Sequence, residues 1–198
     1  NTYSLTWDGT AVETDYTLDE DIGELEVTKS TKELKVESLN GEWTYDGNAH
    51  TNKTYKVTYG TEVIEGTEGQ VEFELSTGDK VTVTPAATAT ITHVAQTPVD
   101  NAFTWSVENE AFYTKGTDTV GTLKINPATL TIVTESDSKE YDGEALTAEG
   151  SISGFVTPTD GEQETATFKV TGSQTEVGKS NNTYSLTWDG TAVETDYT

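Results

Sequence analysis

Hydrophobic residues along this chain recur at every second position. Tyr55/Val57/Tyr59, Val71/Phe73/Leu75, Val81/Val83, Ala89/Ile91, Phe168/Val170 and Tyr184/Leu186/Trp188 all alternate with polar neighbours. A period of two puts the apolar side chains on one face of an extended segment, so these runs predict half-buried β-strands. Asp-Gly pairs at 8–9, 46–47, 142–143, 160–161 and 189–190 punctuate them. Glycine there tolerates the positive φ of tight turns. Ser76-Thr-Gly-Asp79 sits between two alternating runs and predicts a hairpin loop. No stretch carries the 3.6-residue period of an amphipathic helix. The pattern predicts an all-β chain, and modules of about 85–100 residues with roughly seven short strands predict tandem immunoglobulin-like β-sandwich modules. The tract from Val177 through Asn182 to Tyr184 fits a tyrosine-corner approach to a late strand. β-grasp-like modules are the alternative, and they call for a helix.

The chain repeats itself at two levels. Residues 1–17 read NTYSLTWDGTAVETDYT, and residues 182–198 read the same. This identity points to a tandem array whose unit is 181 residues, the distance from Asn1 to Asn182. Inside that unit lies a weaker repeat. Ile22-Gly-Glu-Leu-Glu-Val27 aligns with Val120-Gly-Thr-Leu-Lys-Ile125, and Leu34-Lys-Val36 with Leu130-Thr-Ile132. Tyr45-Asp-Gly47 aligns with Tyr141-Asp-Gly143, Gln96-Thr97 with Gln174-Thr175, and Asn101–Trp105 with Asn182–Trp188. The unit is therefore two diverged copies of one module. Residues 1–30 are expected to be the C-terminal part of a B-type module, 31–128 a complete module A, and 129–198 a module B lacking its last strand. Gly47 to Asn101 spans 54 residues and Gly143 to Asn182 spans 39, which predicts an added hairpin in module A between 60 and 90.

Composition narrows the function. The chain has 198 residues with 11 Lys plus Arg, all of them Lys, against 35 Asp plus Glu, for a net charge of −24. Without a basic stripe it has no means of gripping phosphates, which excludes nucleic acid. An anionic membrane surface is disfavoured for the same reason. No apolar run is long enough to span a bilayer, and no signal-peptide pattern opens the sequence. The absence of Met predicts a segment of a longer chain, and the absence of Cys removes disulfides and thiolate chemistry. Hydrophobic content is only 32%, but 4 Trp, 9 Tyr and 5 Phe favour folded modules with thin cores over disorder.

Candidate chemistry is sparse. Gly150-Ser-Ile-Ser-Gly154 has Ile where a nucleophile elbow needs Ser. His50 and His93 lie on Thr-rich stretches and read as surface residues. Leu18-Asp-Glu-Asp-Ile-Gly-Glu-Leu-Glu26 could offer oxygens to calcium between modules, but it has no EF-hand spacing and reads as an acidic loop leading to an edge strand. Lys35 and Asn126 are the obvious pair for an isopeptide crosslink, yet Leu34/Val36 and Leu123/Ile125 claim the inward faces. Trp43 aligns with Lys139 and is either a sugar-stacking ring or local packing, whereas Trp7, Trp105 and Trp188 read as core. Asn52-Lys-Thr54 and Asn181-Asn-Thr183 are formal glycosylation sequons. No catalytic, cofactor-binding or metal-ligating residue is assigned, no cofactor is expected, and the chain is read as not an enzyme.

The tracts 123–132, 138–147 and 170–185 together resemble the MBG-type repeats of large surface proteins and adhesins of Gram-positive bacteria. The resemblance covers module B well. Module A keeps Tyr45–Gly47, Gln96-Thr97 and the strand 101–105, and departs through its insertion. The resemblance implies extracellular, cell-wall-attached tandem modules, and it carries no catalytic residues. The expected role is a stalk or fibre section of a cell-surface protein, with an adhesin module for host glycan or protein as the alternative. Expected partners are neighbouring repeats or other copies, joined by strand complementation in which 18–28 of one copy pairs with 129–198 of another.

Overall fold

A computed structural model describes residues 2–198. The chain is all-β among these residues, with short 3₁₀ turns and no α-helix, in keeping with a sandwich-type fold. The helix of a β-grasp module is not found among them. Nor is there any helix long and apolar enough to cross a membrane.

Fourteen strands run in chain order: β1 (Glu33–Ser38), β2 (Gly41–Thr44), β3 (Tyr55–Tyr59), β4 (Glu62–Glu65), β5 (Glu72–Glu74), β6 (Lys80–Pro85), β7 (Val99–Asp100), β8 (Phe103–Val107), β9 (Thr114–Lys115), β10 (Thr122–Asn126), β11 (Thr131–Thr134), β12 (Gly150–Ser153), β13 (Thr167–Val170) and β14 (Tyr184–Thr187). The first ten form three small sheets, β4-β3-β1-β9, β2-β10-β7 and β5-β6-β8. The last four form two hairpin-like pairs, β11-β12 and β13-β14. Strands β4 and β5 have no counterpart between β12 and β13, so the length difference between the modules lies there. The hairpin β5-β6 turns at 76–79, where Gly78 has φ +88°.

Two stretches of module A run side by side and change sheets together. Strand β1 pairs in parallel with β9, and β2 in parallel with β10. The crossing is held by a buried clasp. Gly121 N donates to Ser38 Oγ at 2.9 Å, Ser38 Oγ donates to the Asn101 carbonyl at 2.7 Å, and Asn101 N donates to the Gly121 carbonyl at 2.8 Å. A Cβ on Gly121 would lie 2.5 Å from the Ser38 carbonyl oxygen, so only glycine fits this approach.

The same pin recurs in module B. Asn101 Nδ2 donates to the carbonyls of Leu39 and Asn52, both at 2.9 Å. Asn182 Nδ2 reaches those of Glu135 and Ala148, at 3.0 and 3.4 Å, and also that of Glu149 at 3.3 Å. Residues 39 and 52 align with 135 and 148 in the same register as the two Tyr-Asp-Gly motifs. The glutamine landmark is different. Gln174 faces Leu146 in an antiparallel bridge, in the place where Ile91 faces His50. Gln174 is thus the positional equivalent of Ile91 and not of Gln96, whose side chain instead caps its own turn through Thr92 N and His93 N. The tyrosine corner is also not formed. Tyr184 is half exposed, its ring leans on Phe168 at 5.7 Å, and its hydroxyl makes no hydrogen bond among the described residues.

Burial separates the modules. One core cluster lies wholly in module A and contains Leu34, Val36, Tyr55, Val57, Phe73, Val81 and Val83, with Trp105 packed against it. No residue of β11, β12, β13 or β14 is fully buried. Residues 2–29 carry no strand and are exposed except for the half-buried Trp7. Trp7 is therefore not a core residue: it touches Tyr16 at 5.3 Å but belongs to neither core cluster.

The two asparagine pins should differ in worth. Asn101 is buried, so Asn101→Ala strands two carbonyls and should lower the stability of module A by about 2–4 kcal/mol. Asn182 is half exposed, and Asn182→Ala should cost about 1 kcal/mol or less. Urea unfolding of both variants decides this; equal losses would refute the ranking.

Candidate functional site: the junction between the modules

A second core cluster crosses from one module to the other. Tyr45, Ile91, Leu123, Ile125 and Ala128 join Ala192 and Tyr197, with Trp43, Phe155, Val156 and Trp188 packed against them. The connection from β10 to β11 supplies only residues 127–130, so the modules are held close before any side chain acts. The backbone then ties them. Ala128 N donates to the Asp196 carbonyl at 2.9 Å, Thr198 N to the Ala128 carbonyl at 2.8 Å, and Leu130 N to the Thr198 carbonyl at 2.9 Å.

Glu164 is the polar centre. It is buried, and its two oxygens accept one phenol from each side: Tyr45 at 2.6 Å and Tyr197 at 2.5 Å. The two rings meet edge to face at 5.6 Å, and Phe155 and Trp188 close round Tyr197 at 5.5 and 5.9 Å. Such aromatic pairs add about 0.5–1.5 kcal/mol beyond their area. Burial first, and the Glu164 carboxylate second, push both phenol pKa values well above the usual tyrosine range.

A second polar contact flanks the first. Asp196 is fully buried in the turn Glu194–Asp196. Its carboxylate accepts from Val94 N at 2.7 Å and lies 2.6 Å from His93 Nδ1. His93, expected at the surface, is half exposed but engaged across the junction; the partner that claims it lies 103 residues away. At the rim Thr159 N donates to Asn48 Oδ1 at 2.9 Å. Gly47 at φ +77° abuts Pro158, and a Cβ there would come within 2.6 Å of the ring.

The other candidates are not gathered into chemistry. His50 stacks on Trp43 at 4.8 Å and reaches Asp46 at 2.9 Å; partial burial pushes the Asp46 carboxyl up, but the Asn48 backbone N–H, followed by His50 and the Asn48 side chain, holds it below its usual range. Trp43 is half buried against the junction core. Lys35 lies on β1, and Asn126 lies on β10 in another sheet, where it donates to Glu42 at 2.7 Å. The acidic stretch 18–26 is exposed throughout. No three His, Asp or Glu side chains are placed to hold a metal among the described residues. Asn52 donates to the Asn40 carbonyl and accepts from Thr54 N, while Asn181 is exposed. The segment 150–154 is mostly strand β12.

No family model, no curated protein and no solved structure matches this chain.

The junction makes two measurable demands. Glu164→Ala leaves two buried phenols without an acceptor and should destabilise the junction by about 2–4 kcal/mol. Hydrogen exchange should report this at 128–130 and 192–198; loss of protection confined to the loop round residue 164 would refute the shared-core description. The pH response has a definite sign. The folded phenol pKa values are raised, so their contribution is fully present below the unfolded value of about 10 and is lost as pH rises above it. Melting temperature should therefore fall above about pH 10, less steeply in a Tyr45→Phe, Tyr197→Phe double variant. Identical alkaline profiles would count against the Glu164 bridge.

Proposed function

We propose that this chain is a section of a stalk or fibre, built of repeated extracellular modules on a Gram-positive bacterial surface. The single observation that carries this reading is the shared core at the junction. Modules that pool a hydrophobic cluster, and set one carboxylate between a tyrosine from each side, are stacked end to end with little freedom. That is the property a spacer needs, and repetition of a 181-residue unit multiplies it. The resemblance to MBG-type repeats supports the same setting and location. The charge of −24 favours extension and solubility through self-repulsion. Trp43 is packed on His50 instead of standing open, which supports a spacer over an adhesin with a glycan-stacking ring. We assign the chain no catalytic role and no cofactor.

The test is small-angle scattering on chains carrying one, two and three covalently joined 181-residue units. A stalk predicts a maximum dimension that grows linearly with unit number. A flexible string grows roughly as the square root of length, and that result would remove the stalk reading. On the same reading, EDTA should leave the melting temperature unchanged; a large fall would bring calcium at 18–26 back into consideration.

A further inference from the structure

Where the chain enters module A, that module presents the same aromatic and acidic face that module B presents to the junction. The strand registers set the correspondence. Pro85 faces Phe103 in one module and Val170 faces Tyr184 in the other. Asp79, six residues before Pro85, is therefore the counterpart of Glu164, six before Val170. Tyr113 follows the turn Glu110–Phe112 as Tyr197 follows Glu194–Asp196. The contacts agree. Tyr113 donates to Asp79 Oδ2 at 2.5 Å, as Tyr197 does to Glu164. Tyr59 meets Tyr113 edge to face at 5.4 Å, as Phe155 meets Tyr197 at 5.5 Å. The entering backbone is held alike: Ser30 N donates to the Phe112 carbonyl at 2.9 Å, and Ala128 N to that of Asp196 at 2.9 Å.

The face on module A lacks only a tyrosine from the other side. At the junction Tyr45 supplies it, and the counterpart of Tyr45 is Tyr141, which is 66% exposed. Its loop has the same shape, with Gly143 at φ +85° where Gly47 has +77°. Val177 lies three residues past Gln174, as Val94 lies three past Ile91. It is 87% exposed and lines the same hollow as Tyr141. We propose that Tyr141 and Val177 of one repeat unit dock on Asp79 and Phe112 of the next unit in the same chain. The B-to-A junctions of the array are then built on the plan of the A-to-B junction. This deepens the stalk reading and rests on it, because the next unit is the one that the 181-residue repeat supplies.

The connection allows it. Residues 22–27 align with 120–125, and β1 begins six residues after Val27 as β11 begins six after Ile125. Two modules joined through 28–32 are thus spaced as closely as the two joined through 126–130.

The differences between the two faces are matched in pairs. At the A-to-B junction Asp196 is buried against Val94 N and His93. Module A has Phe112 in the place of Asp196, and the ring is 61% exposed. Module B has neither a histidine nor a 3₁₀ turn at 176–179, the place of 93–96. The acid is replaced by an apolar ring where its polar partners are replaced by Val177. Docking takes Phe112, Val177 and the Tyr141 ring out of water together, which favours the contact through apolar burial. Asp79 remains able to receive the phenol. Its Oδ1 accepts from the exposed Asn109 side chain at 2.8 Å and has a second lone pair.

The test uses a chain of two covalently joined 181-residue units, in which the inner B-to-A junction is complete. The sequence has no cysteine, so Val177→Cys in the first unit and Phe112→Cys in the second give one pair able to bridge. On mild oxidation this pair should crosslink within the molecule about tenfold or more faster than Val177→Cys paired with Thr104→Cys, an exposed position on β8 of the second unit. Tyr141→Ala should leave the melting temperature of the 198-residue chain unchanged, since the ring is exposed there. In the first unit of the joined chain it should speed amide exchange at 108–115 of the second by about tenfold. Equal crosslinking of the two pairs, or exchange at 108–115 unmoved by Tyr141→Ala, would each overturn the contact. Scattering from the same chain keeps the two readings apart. A rod whose cysteines fail to pair removes this contact and leaves the stalk, whereas a flexible string removes the stalk as well.

Discussion

A backbone amide or carbonyl shut away from water without a partner costs about 1–3 kcal/mol, and thin β-modules have little core with which to offset it. Only β1, β3, β6 and β10 have a neighbour along both edges. Strand β10 shows the constraint met. With β2 on one side and β7 on the other, its apolar face closes over the junction and Leu123 and Ile125 are removed from solvent. Module B pairs its strands only two by two. The residues aligned with β2 do not become a strand, and Ile132, Ile152, Phe168, Val170 and Leu186 stay only half buried. Side-chain patterning is similar in the two modules; lateral pairing is what differs.

The identical segments 2–17 and 183–198 separate local from tertiary causes. Both form the same turn, Glu13–Asp15 and Glu194–Asp196, with Tyr16 and Tyr197 donating back at 3.3 and 3.2 Å. Both bring a tryptophan to the tyrosine nine residues on, at 5.3 and 5.9 Å. These features are local and travel with the sequence. Strand β14 does not travel: it exists because β13 lies beside it, and residues 3–6 have no such neighbour. Burial differs in the same way, Tyr16 at 58% exposed and Tyr197 at 8%.

This division also governs what could be read from residues alone. The alternating runs at 55–59, 81–83 and 168–170 announced strands because period two is a local property. The Asp-Gly turns at 8–9, 46–47 and 142–143, where glycine takes positive φ, and the loop at 76–79 were legible for the same reason, whereas Gly161 and Gly190 do not take positive φ. The repeated Asn101 and Asn182 were visible as landmarks, but their work, pinning two carbonyls of a preceding segment, depends on which chains lie alongside. The junction was not legible. Glu164 looks like one of 35 acids until Tyr45, 119 residues away, is seen to reach it. His93 and Asp196 are hidden equally well. The glutamine match misled because similar short strings can occupy different places once a turn such as Val94–Gln96 is inserted.

The acidity of the chain fits this dependence on pairing. Sheets with exposed edge strands, such as β4, β5 and β8, are prone to indiscriminate edge-to-edge contact, and like charge is the commonest defence. Carboxylates spread over the chain raise the cost of every loose encounter, because random contact brings charge together without satisfying the backbone. The junction between the modules keeps the same repulsion but adds main-chain hydrogen bonds at 128–130, a shared apolar core and the Glu164 bridge. The repulsion is nearly independent of arrangement, whereas the gain is confined to one. Charge thus works as a filter: it weakens all contacts by a similar amount and leaves only the arrangement seen at the junction with a net advantage.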